Sequence, residues 1–406
     1  MSTLIFITCS YPYRRFTEPS FIRPEVEALC SEFDRVIFVP VMETDEADTL
    51  PANAIVYREL TGRLPLWRRI AGMASINVWK NVFADRRHIH SLKDLRGSIA
   101  TSVYVKYYRG KLLKLIADMN IEPTDTLIYN FWFTASALAS TMIDGVRSLS
   151  RAHGHDIYPE QGVYLSHSLR DRALEKLLKV YVASEAGANY MRECYPDKAE
   201  KIITAHLGSR DPEGLNPNKM DGDDEISLLC VARTEPVKRV PMMYNLLKAW
   251  AESRPDLKIR WIYIGNGSEM PTVKELVTKE SVPNLTVELL GAKNNHEVHH
   301  IMSTRHIDAM LLTSSSEGGA PIALNEALSY GLPSIATAVG GVPEIVSQEV
   351  GALLTPYPTA DEFISVMNHE LPLLPTKRQA AREKWENGFR ASNLRQKFAT
   401  ELRNYL

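Results

Sequence analysis

Short apolar, β-rich runs recur along this chain, and stretches with a helical pattern separate them. In the N-terminal half the runs are residues 4–8, 36–39, 127–129 and 180–182, with a helical pattern over residues 24–32. In the C-terminal half they are residues 227–231, 261–264, 285–289, 309–312 and 334–337. Strands that alternate with helices of about 10–15 residues form parallel sheets with helices on both faces. The pattern therefore predicts an α/β protein.

Residues 208–225, which are rich in Gly, Pro, Asn and Asp, separate the two series and predict a linker. We therefore predict an N-terminal domain over residues 1–207 and a C-terminal domain over residues 226–385. A final helical pattern, about residues 386–406, can pack on either domain. Ligands of doubly wound sheets bind beyond the carboxyl ends of the strands, so two such domains would leave a binding cleft.

Composition excludes several classes of protein. The 406 residues include 47 Lys and Arg and 49 Asp and Glu, a formal charge of −2. With 45% hydrophobic residues, these values exclude a disordered, collagen-like or polytopic membrane protein and predict no nucleic-acid partner. The first residues lack the pattern of a signal peptide, and the longest uncharged stretch is too polar to span a bilayer. Four scattered cysteines indicate a reducing cytosol.

The most informative stretch is residues 313–344, where a glycine loop follows a predicted strand and a helix is predicted to begin near Pro321. Such a loop presents unpaired N–H groups that suit a phosphate. The predicted phosphate-binding residues are Gly318, Gly319, Ala320, Pro321 and Ile322. Glu317 precedes the helix and Glu326 lies more than a turn into it, so the two carboxylates can bind different parts of one ligand. The alternative is a solvent loop followed by a surface glutamate.

Two basic residues follow the first predicted strand of the C-terminal domain. Arg233 and Lys238 lie five positions apart. Arginine as a bidentate fork and lysine as a point charge can together bind a diphosphate. Basic loop residues are usually solvated, so this interpretation depends on the glycine loop of the same domain.

In these motifs the chain resembles the retaining glycosyltransferases of family 4. Arg233 and Lys238 resemble the family's diphosphate-binding pair, and Glu317 and Glu326 resemble its two-glutamate motif. Residues 262–269, 331–337 and 340–345 resemble neighbouring family segments. The eight residues between the glutamates are one more than in the family. The resemblance implies the GT-B fold, with two Rossmann-like, doubly wound domains that face a cleft and a C-terminal helix that can cross back to the N-terminal domain.

The N-terminal half resembles family members associated with capsular and exopolysaccharide assembly, in residues 11–22, 129–132 and 150–158. This resemblance implies that His153 reaches the donor sugar and that Asp156 orders the surrounding loop. It also places Glu18 in a loop over the donor phosphates, although the Gly-Gly pair of many relatives is absent there. The alternative for His153 is a histidine satisfied in the core.

The resemblance implies a retaining hexosyltransferase that moves a sugar from a nucleotide-diphosphate sugar to a glycan or lipid-linked saccharide in surface polysaccharide biosynthesis. The residues it makes catalytic are His153, Glu317, Arg233 and Lys238. Arg233, Lys238 and the helix N-terminus would stabilise the leaving phosphate without metal, so no metal or cofactor is expected. Glu317 would bind sugar hydroxyls, and Glu326 the ribose. The alternatives are a nucleotide-sugar 2-epimerase and a non-catalytic glycosyltransferase-like binding subunit.

Three other patterns are weaker indications of a site. Residues 296–300 match the zinc motif H-E-x-x-H, but no third ligand is apparent. Residues 221–224 resemble an Asp-x-Asp metal motif, but they lie in the predicted linker. Gly265 and Gly267 lack the third glycine of a dinucleotide fingerprint.

Residues 61–115 carry twelve Lys and Arg but only two Asp. Apolar residues at helical spacing from Trp67 to Val82 predict a basic amphipathic helix within this segment. Such a helix favours an anionic membrane surface, and the alternative is packing of its apolar face on the N-terminal core. With the reducing cytosol that the cysteines indicate, we expect a cytoplasmic protein that, on the first of these two interpretations, is peripheral on the cytoplasmic face of a membrane.

Overall fold

The computed structural model describes residues 1–14, 18–44, 46–62, 64–159, 164, 166–220, 224–319 and 321–406. Ala320, Arg63 and residues 15–17 and 221–223, which figured above, lie outside these ranges. The chain divides into two compact units. Unit 1 is Met1–His206 with Asn393–Leu406, and unit 2 is Leu207–Ser392.

Unit 1 contains one parallel sheet of seven strands in the order β3-β2-β1-β4-β5-β6-β7. The strands are β1 (Thr3–Thr8), β2 (Arg35–Pro40), β3 (Ala54–Val56), β4 (Thr126–Asn130), β5 (Arg147–Ala152), β6 (Val180–Val182) and β7 (Ile202–Thr204). Every residue of β1 is buried, as expected for a central strand covered on both faces. The four predicted strands are present, whereas β3, β5 and β7 were not predicted.

The helices of unit 1 are α1 (Glu18–Glu32), α2 (Leu66–Met73), α3 (Ile76–Ala84), α4 (Leu92–Asp118), α5 (Ala135–Ser140), α6 (Gly154–Ile157), α7 (His167–Lys176) and α8 (Glu185–Cys194). The predicted single amphipathic helix over residues 67–82 is wrong. Ser75 has extended backbone and divides it into α2 and α3. The alternative prediction, that the apolar face packs on a core, holds only for Val78 and Val82, whose side chains are buried.

Unit 2 contains a second parallel sheet, of six strands in the order β10-β9-β8-β11-β12-β13. The strands are β8 (Glu225–Val231), β9 (Lys258–Ile264), β10 (Leu285–Leu289), β11 (Ala309–Leu312), β12 (Ser334–Thr337) and β13 (Gly351–Leu354). The helices are α9 (Val240–Ser253), α10 (Met270–Lys279), α11 (Asn295–Thr304), α12 (Ile322–Ser329), α13 (Val342–Ile345), α14 (Ala360–Glu370) and α15 (Leu374–Gly388). All five predicted strands are present. The two sheets confirm the α/β class and the two Rossmann-like domains.

The last helix, α16 (Ala391–Arg403), packs on unit 1. The Phe398 ring contacts Tyr181 edge to face with 5.0 Å between centroids, and the Arg151 guanidinium lies 4.1 Å from the centre of the same ring. Arg147 donates to the carbonyl oxygens of Tyr405 and Leu406, each at 3.0 Å. The C-terminal helix therefore belongs with the N-terminal residues.

Candidate active site

The loops that follow β8 and β11 lie together in unit 2 because these strands are neighbours in the sheet. The Ser315 N–H donates to the Val237 carbonyl at 2.8 Å, and the Thr313 hydroxyl donates to the Lys238 carbonyl at 3.3 Å. Sheet order thus brings the predicted basic loop and the predicted glutamate loop to one edge.

Lys238 and Glu317 form a direct ion pair between Nζ and Oε1. The Ser314 hydroxyl donates to the same carboxylate oxygen at 2.6 Å. Both side chains of the pair are mostly buried, and Oε2 of Glu317 has no partner within the ranges described. The ammonium and the carboxylate therefore neutralise each other while one carboxylate oxygen remains available.

Gly340 holds the backbone of Glu317 in place. Its φ is +51°, and a Cβ at this position would lie 1.6 Å from the Glu317 carbonyl oxygen. The next residue, Gly341, donates its N–H to that carbonyl at 3.2 Å. A side chain at position 340 would therefore displace the Glu317 loop, which explains glycine there.

The N-terminus of α12 follows Glu317 closely. Gly318 and Gly319 form a bend, Pro321 occupies the N-cap position, and no side chain caps the helix within the part of the chain described. The predicted helix start near Pro321 is therefore correct. Unpaired N–H groups and the helix dipole favour an anion at such an end.

Glu326 lies on α12 and is buried. Asn295 Nδ2 donates to Glu326 Oε1 at 2.9 Å, whereas Oε2 has no partner among the residues described. His299 Nε2 lies 3.4 Å from Oε1. Arg210 can only donate, and its Nε lies 3.1 Å from His299 Nε2, so Nε2 accepts and the proton is on Nδ1.

Asn295 and His299 were not predicted as neighbours of Glu326, nor was Arg210 as a neighbour of His299. His299 is fully buried, and its Nδ1 lies 2.8 Å from the Tyr330 hydroxyl. The available signal was the histidine-rich segment 296–300, which we considered only as a zinc motif. This segment and Glu326 are about 30 residues apart in the sequence, so no local sequence pattern contains both.

Glu297, the acid of the H-E-x-x-H pattern, has a structural partner. Its carboxylate accepts from the Asn294 backbone N–H at 2.9 Å, and its own N–H donates to the Asn294 side chain at 3.0 Å. This capping box fixes the start of α11. Within the ranges described, no group of three His, Cys, Asp or Glu residues could hold a metal ion.

Gly265 and Gly267 allow the loop after β9 to approach the loop after β8. A Cβ on Gly265 would lie 1.8 Å from the Ala232 carbonyl oxygen, and one on Gly267 would lie 2.6 Å from the Thr234 carbonyl oxygen. Close backbone packing therefore accounts for both glycines.

Arg233, the second predicted diphosphate ligand, follows β8 and is exposed. It makes no hydrogen bond or ion pair with any residue that the structure describes. Its guanidinium is therefore available to an anion at the same edge of the sheet.

Glu18 begins α1 in unit 1 and is buried. Its carboxylate accepts from the backbone N–H groups of Cys9, Ser10 and Tyr11. It also accepts from the Trp132 indole N–H at 2.8 Å. In this structure the carboxylate of Glu18 holds the loop after β1 and lies where a bound anion would meet the same N–H groups.

His153 and Asp156 lie at the carboxyl end of β5 in unit 1. Asp156 accepts from the backbone N–H groups of His153 and Phe133, the latter at 2.7 Å, so it orders both segments. His153 Nε2 lies 3.1 Å from the Phe131 carbonyl oxygen. Burial lowers the pKa of His153 to about 3, so the ring is neutral and Nε2–H donates to that carbonyl. Burial also raises the pKa of Asp156 to about 6.

The structure thus brings Lys238, Glu317 and the start of α12 together in unit 2, with Glu326 on the same helix. Glu18, His153 and Asp156 belong to unit 1. Within the ranges described, no helix is both long enough and apolar enough to cross a bilayer.

Comparisons with known proteins show similarity to glycosyltransferases in sequence and in fold. Residues 216–383, which include Arg233, Lys238, Glu317 and Glu326, match the family of glycosyl transferases group 1. The chain is 28% identical over 195 residues to the N-acetyl-alpha-D-glucosaminyl L-malate synthase of Bacillus anthracis, covering 47% of this chain and 49% of the relative. It is 23% identical over 211 residues to the colanic acid biosynthesis glycosyltransferase WcaL of Escherichia coli, covering 50% of this chain and 51% of the relative.

The chain therefore spans about half the length of these curated relatives, and about a third of some others. Its fold is also that of Anabaena Alr3699/HepE, solved in complex with UDP. The TM-score is 0.65 at 16% sequence identity, and the similarity covers all of both chains. Residues 216–383 thus match the glycosyl transferases group 1 family, and the whole chain has the GT-B fold of glycosyltransferases of known structure.

Proposed function

We propose that this chain is a retaining, metal-independent hexosyltransferase of surface polysaccharide biosynthesis. It would move a sugar from a nucleotide-diphosphate sugar to a glycan or lipid-linked saccharide acceptor. The observation that carries this proposal is the Lys238–Glu317 pair, which precedes the uncapped N-terminus of α12 within the family-matching region.

The positive groups of this edge suit a leaving diphosphate. Arg233 has no partner within the ranges described, Lys238 is held by a single carboxylate, and the first turn of α12 presents N–H groups. When a donor binds, Lys238 can donate to a phosphate oxygen while Glu317 accepts from a sugar hydroxyl. Fixed positive groups aimed at developing negative charge stabilise a transition state by several kcal/mol, and here the protein itself would supply them.

Glu326 is proposed to bind the donor ribose. Its Oε1 accepts from Asn295, which orients the carboxylate, and its other oxygen is open to a hydroxyl. The eight-residue spacing of the glutamates places Glu326 on the buried side of α12 and leaves Glu317 beside Lys238. The longer loop is therefore compatible with the roles expected of both residues.

For retention, we propose that the leaving phosphate accepts the proton of the acceptor hydroxyl on the face from which it departs. The acceptor oxygen forms a bond to the anomeric carbon as the bond to the phosphate oxygen breaks. The expected contact between His153 and the donor stays a prediction, and its neutral ring would act there as a hydrogen-bond partner. Donor binding by Glu18 stays a prediction as well.

The reported comparisons give no support to the epimerase alternative. A non-catalytic binding protein differs from our proposal in one measurable respect, since it would bind the nucleotide without transferring sugar. We also propose a cytoplasmic location, peripheral on an anionic membrane through residues 61–115.

The test is a thermal-shift screen of the purified chain against nucleoside diphosphates and their sugars, beginning with UDP, followed by a transfer assay with the best donor. Donor at about 100 times its Kd stabilises the folded state by about 2.7 kcal/mol, which raises the thermal midpoint by several degrees. Glu326→Ala should remove this shift and abolish transfer, whereas Glu275→Ala, an exposed glutamate on α10, should retain both. A Glu326→Ala variant with near-normal turnover would refute the assignment.

A further inference from the structure

The helices α2 and α3 of unit 1 expose an unusual amount of apolar side chain. Helix α2 has no buried residue, although Leu66, Trp67 and Ile70 are 71%, 64% and 60% exposed. Helix α3 adds Ile76 and Phe83, at 69% and 66%. The α2–α3 apolar surface, as we use the term, consists of Leu66, Trp67, Ile70, Ile76, Trp79 and Phe83. Exposed apolar patches mark surfaces that contact a partner or a membrane.

Helices α2 and α3, which carry this surface, are packed against the rest of unit 1 through other residues. Val78 of α3 packs in a small separate cluster with Leu64 and Val103. A Cβ on Gly72 of α2 would lie 2.8 Å from Val103 Cγ1, so α2 and α4 are in close contact. The Trp79 indole N–H donates to the Met73 carbonyl at 2.7 Å and joins α3 to α2.

A cavity of about 590 Å³ lies between α2 and α4, and its lining includes Arg68, whose guanidinium adjoins Trp67 of this surface. We call it the basic groove; its lining includes Arg68, Lys106, Tyr107, Gly110, Lys111 and Lys114. Its only acidic lining residue among those described is Glu59, which lies 3.4 Å from Lys111 and 3.8 Å from Lys114. Lys106 and Arg68 have no carboxylate partner within the ranges described, so the groove carries an excess of positive charge.

We propose that the α2–α3 apolar surface enters a membrane interface and that the basic groove binds the phosphate group of a lipid in that membrane. An amphiphile with a phosphate head and an apolar tail matches both features at once, because the cations and the exposed Leu and Trp side chains adjoin on α2. Arg68 lies 5.0 Å from the Trp67 ring centre and Arg86 lies 4.2 Å from the Phe83 ring centre, the pairing of cation and aromatic ring that suits a headgroup boundary. That this lipid carries the acceptor saccharide rests on the proposed function.

Gly110 offers a steric test of the groove. It lies in the interior of α4 and lines the cavity, and a Cβ there would have no atom within 4 Å. A side chain at position 110 therefore begins in open space within the groove. Any residue but proline also has a higher helix propensity than glycine, so the variant is expected to fold.

The experiment measures binding of the full chain to vesicles of phosphatidylcholine alone, with phosphatidylglycerol, or with polyprenyl phosphate at matched charge. We expect wild type to prefer the polyprenyl phosphate vesicles. One basic contact at an anionic surface corresponds to about fivefold in affinity, so Lys106→Glu should weaken this binding by more than fivefold. Gly110→Phe should remove the preference for polyprenyl phosphate, and the double variant Trp67→Ser, Ile70→Ser should weaken binding to all vesicles. The control Lys274→Glu, at an exposed lysine of α10, should match wild type.

Equal binding of wild type and Gly110→Phe to polyprenyl phosphate vesicles would overturn the proposal, as would equal binding to both anionic vesicles. A thermal shift with inorganic phosphate that Gly110→Phe abolishes would assign the groove to a soluble anion instead. Loss of a dimer in the Trp67→Ser, Ile70→Ser variant would assign the apolar surface to a second copy of the chain. Failure of the UDP screen would refute the proposed function and leave these vesicle results standing.

Discussion

The loops that follow β1 and β8 have corresponding places in their sheets. Strand β1 lies between β2 and β4, and strand β8 lies between β9 and β11, so each is the first strand of its sheet and lies between the second and the fourth. Each loop is held by a buried or nearly buried carboxylate. After β1, Glu18 accepts from backbone N–H groups and an indole. After β8, Glu317 accepts from the ammonium of Lys238. One carboxylate fixes backbone, and the other holds a side-chain cation.

This difference separates a structural loop from one that can exchange partners. Backbone N–H groups satisfied by Glu18 lose buried hydrogen bonds if the carboxylate leaves. Lys238 can move its ammonium from Glu317 to a phosphate and remain paired throughout. The loop of unit 2 is therefore suited to a charged ligand, and the loop of unit 1 to a fixed shape.

The largest effect is expected from Glu18→Ala, which tests whether this carboxylate holds the loop after β1. The change leaves three backbone N–H groups and the Trp132 indole without their common acceptor. Unpaired buried donors cost about 1–3 kcal/mol each, less where water enters, so we expect a loss of about 3–5 kcal/mol in the free energy of unfolding. Denaturant titration measures it. Glu27→Ala, an exposed position on the same helix, is the control, and equal stability of both variants would contradict this role of Glu18.

The same variant also tests whether the Glu18 carboxylate occupies an anion-binding site in the loop after β1. Added phosphate should raise the thermal midpoint of Glu18→Ala, because an anion can replace the missing carboxylate and stabilise the fold by mass action. Phosphate should have a much smaller effect on this loop in wild type. A phosphate response that is identical in the two proteins would argue against such a site.

In unit 2 the corresponding change is Lys238→Ala. Removal of one charge-stabilising group typically lowers kcat by a factor of about 10²–10³, or about 2.7–4 kcal/mol. Stability should change less, because Glu317 retains its hydrogen bond from Ser314. Transfer kinetics and the thermal midpoint measure the two effects separately. Lys274→Ala serves as the matched control, and near-normal turnover of Lys238→Ala would exclude the proposed role.

The central strands could be predicted because their apolar runs are buried on both faces. Strand β5 shows why others could not. It reads Arg-Ser-Leu-Ser-Arg-Ala, and Arg151 within it is 2% exposed. Its charge is compensated by Glu25, at 2.8 Å, and its guanidinium lies 4.1 Å from the centre of the Phe398 ring. No local window contains both partners, so the sequence pattern indicates an exposed segment.

For the candidate site, likewise, the sequence predicted which loops are involved but not the contacts between their side chains. The sequence assigned Lys238, Glu317 and the start of α12 to loops of one domain that each follow a predicted strand, and the family resemblance gave these residues their expected roles. The sequence did not predict that Lys238 and Glu317 form a pair, nor that Asn295 orients Glu326. Those contacts depend on side-chain positions across different loops, which the order of strands alone does not determine.

The smallest expected effect concerns the protonation of His153 and Asp156, at the carboxyl end of β5 in unit 1. Burial lowers the pKa of His153 to about 3, so between pH 6.5 and 3 the unfolded chain binds a proton that the folded chain does not. Stability therefore falls with decreasing pH, by up to about 1.4 kcal/mol per pH unit from this group. The raised pKa of Asp156, about 6, has the opposite sign between pH 6 and 3.8, since the folded state binds that proton first.

His153→Gln isolates the histidine contribution, because Asp156 is present in both proteins. A glutamine amide can still donate to the Phe131 carbonyl but does not titrate. Wild type should lose more stability than the variant between pH 6.5 and 4.5, by about 1–2 kcal/mol at the lower pH if other groups respond equally. Denaturant titration at each pH gives the difference directly. Parallel pH profiles would mean that His153 accepts its proton in the folded state, and that the edge of unit 1 can carry a positive charge as unit 2 does.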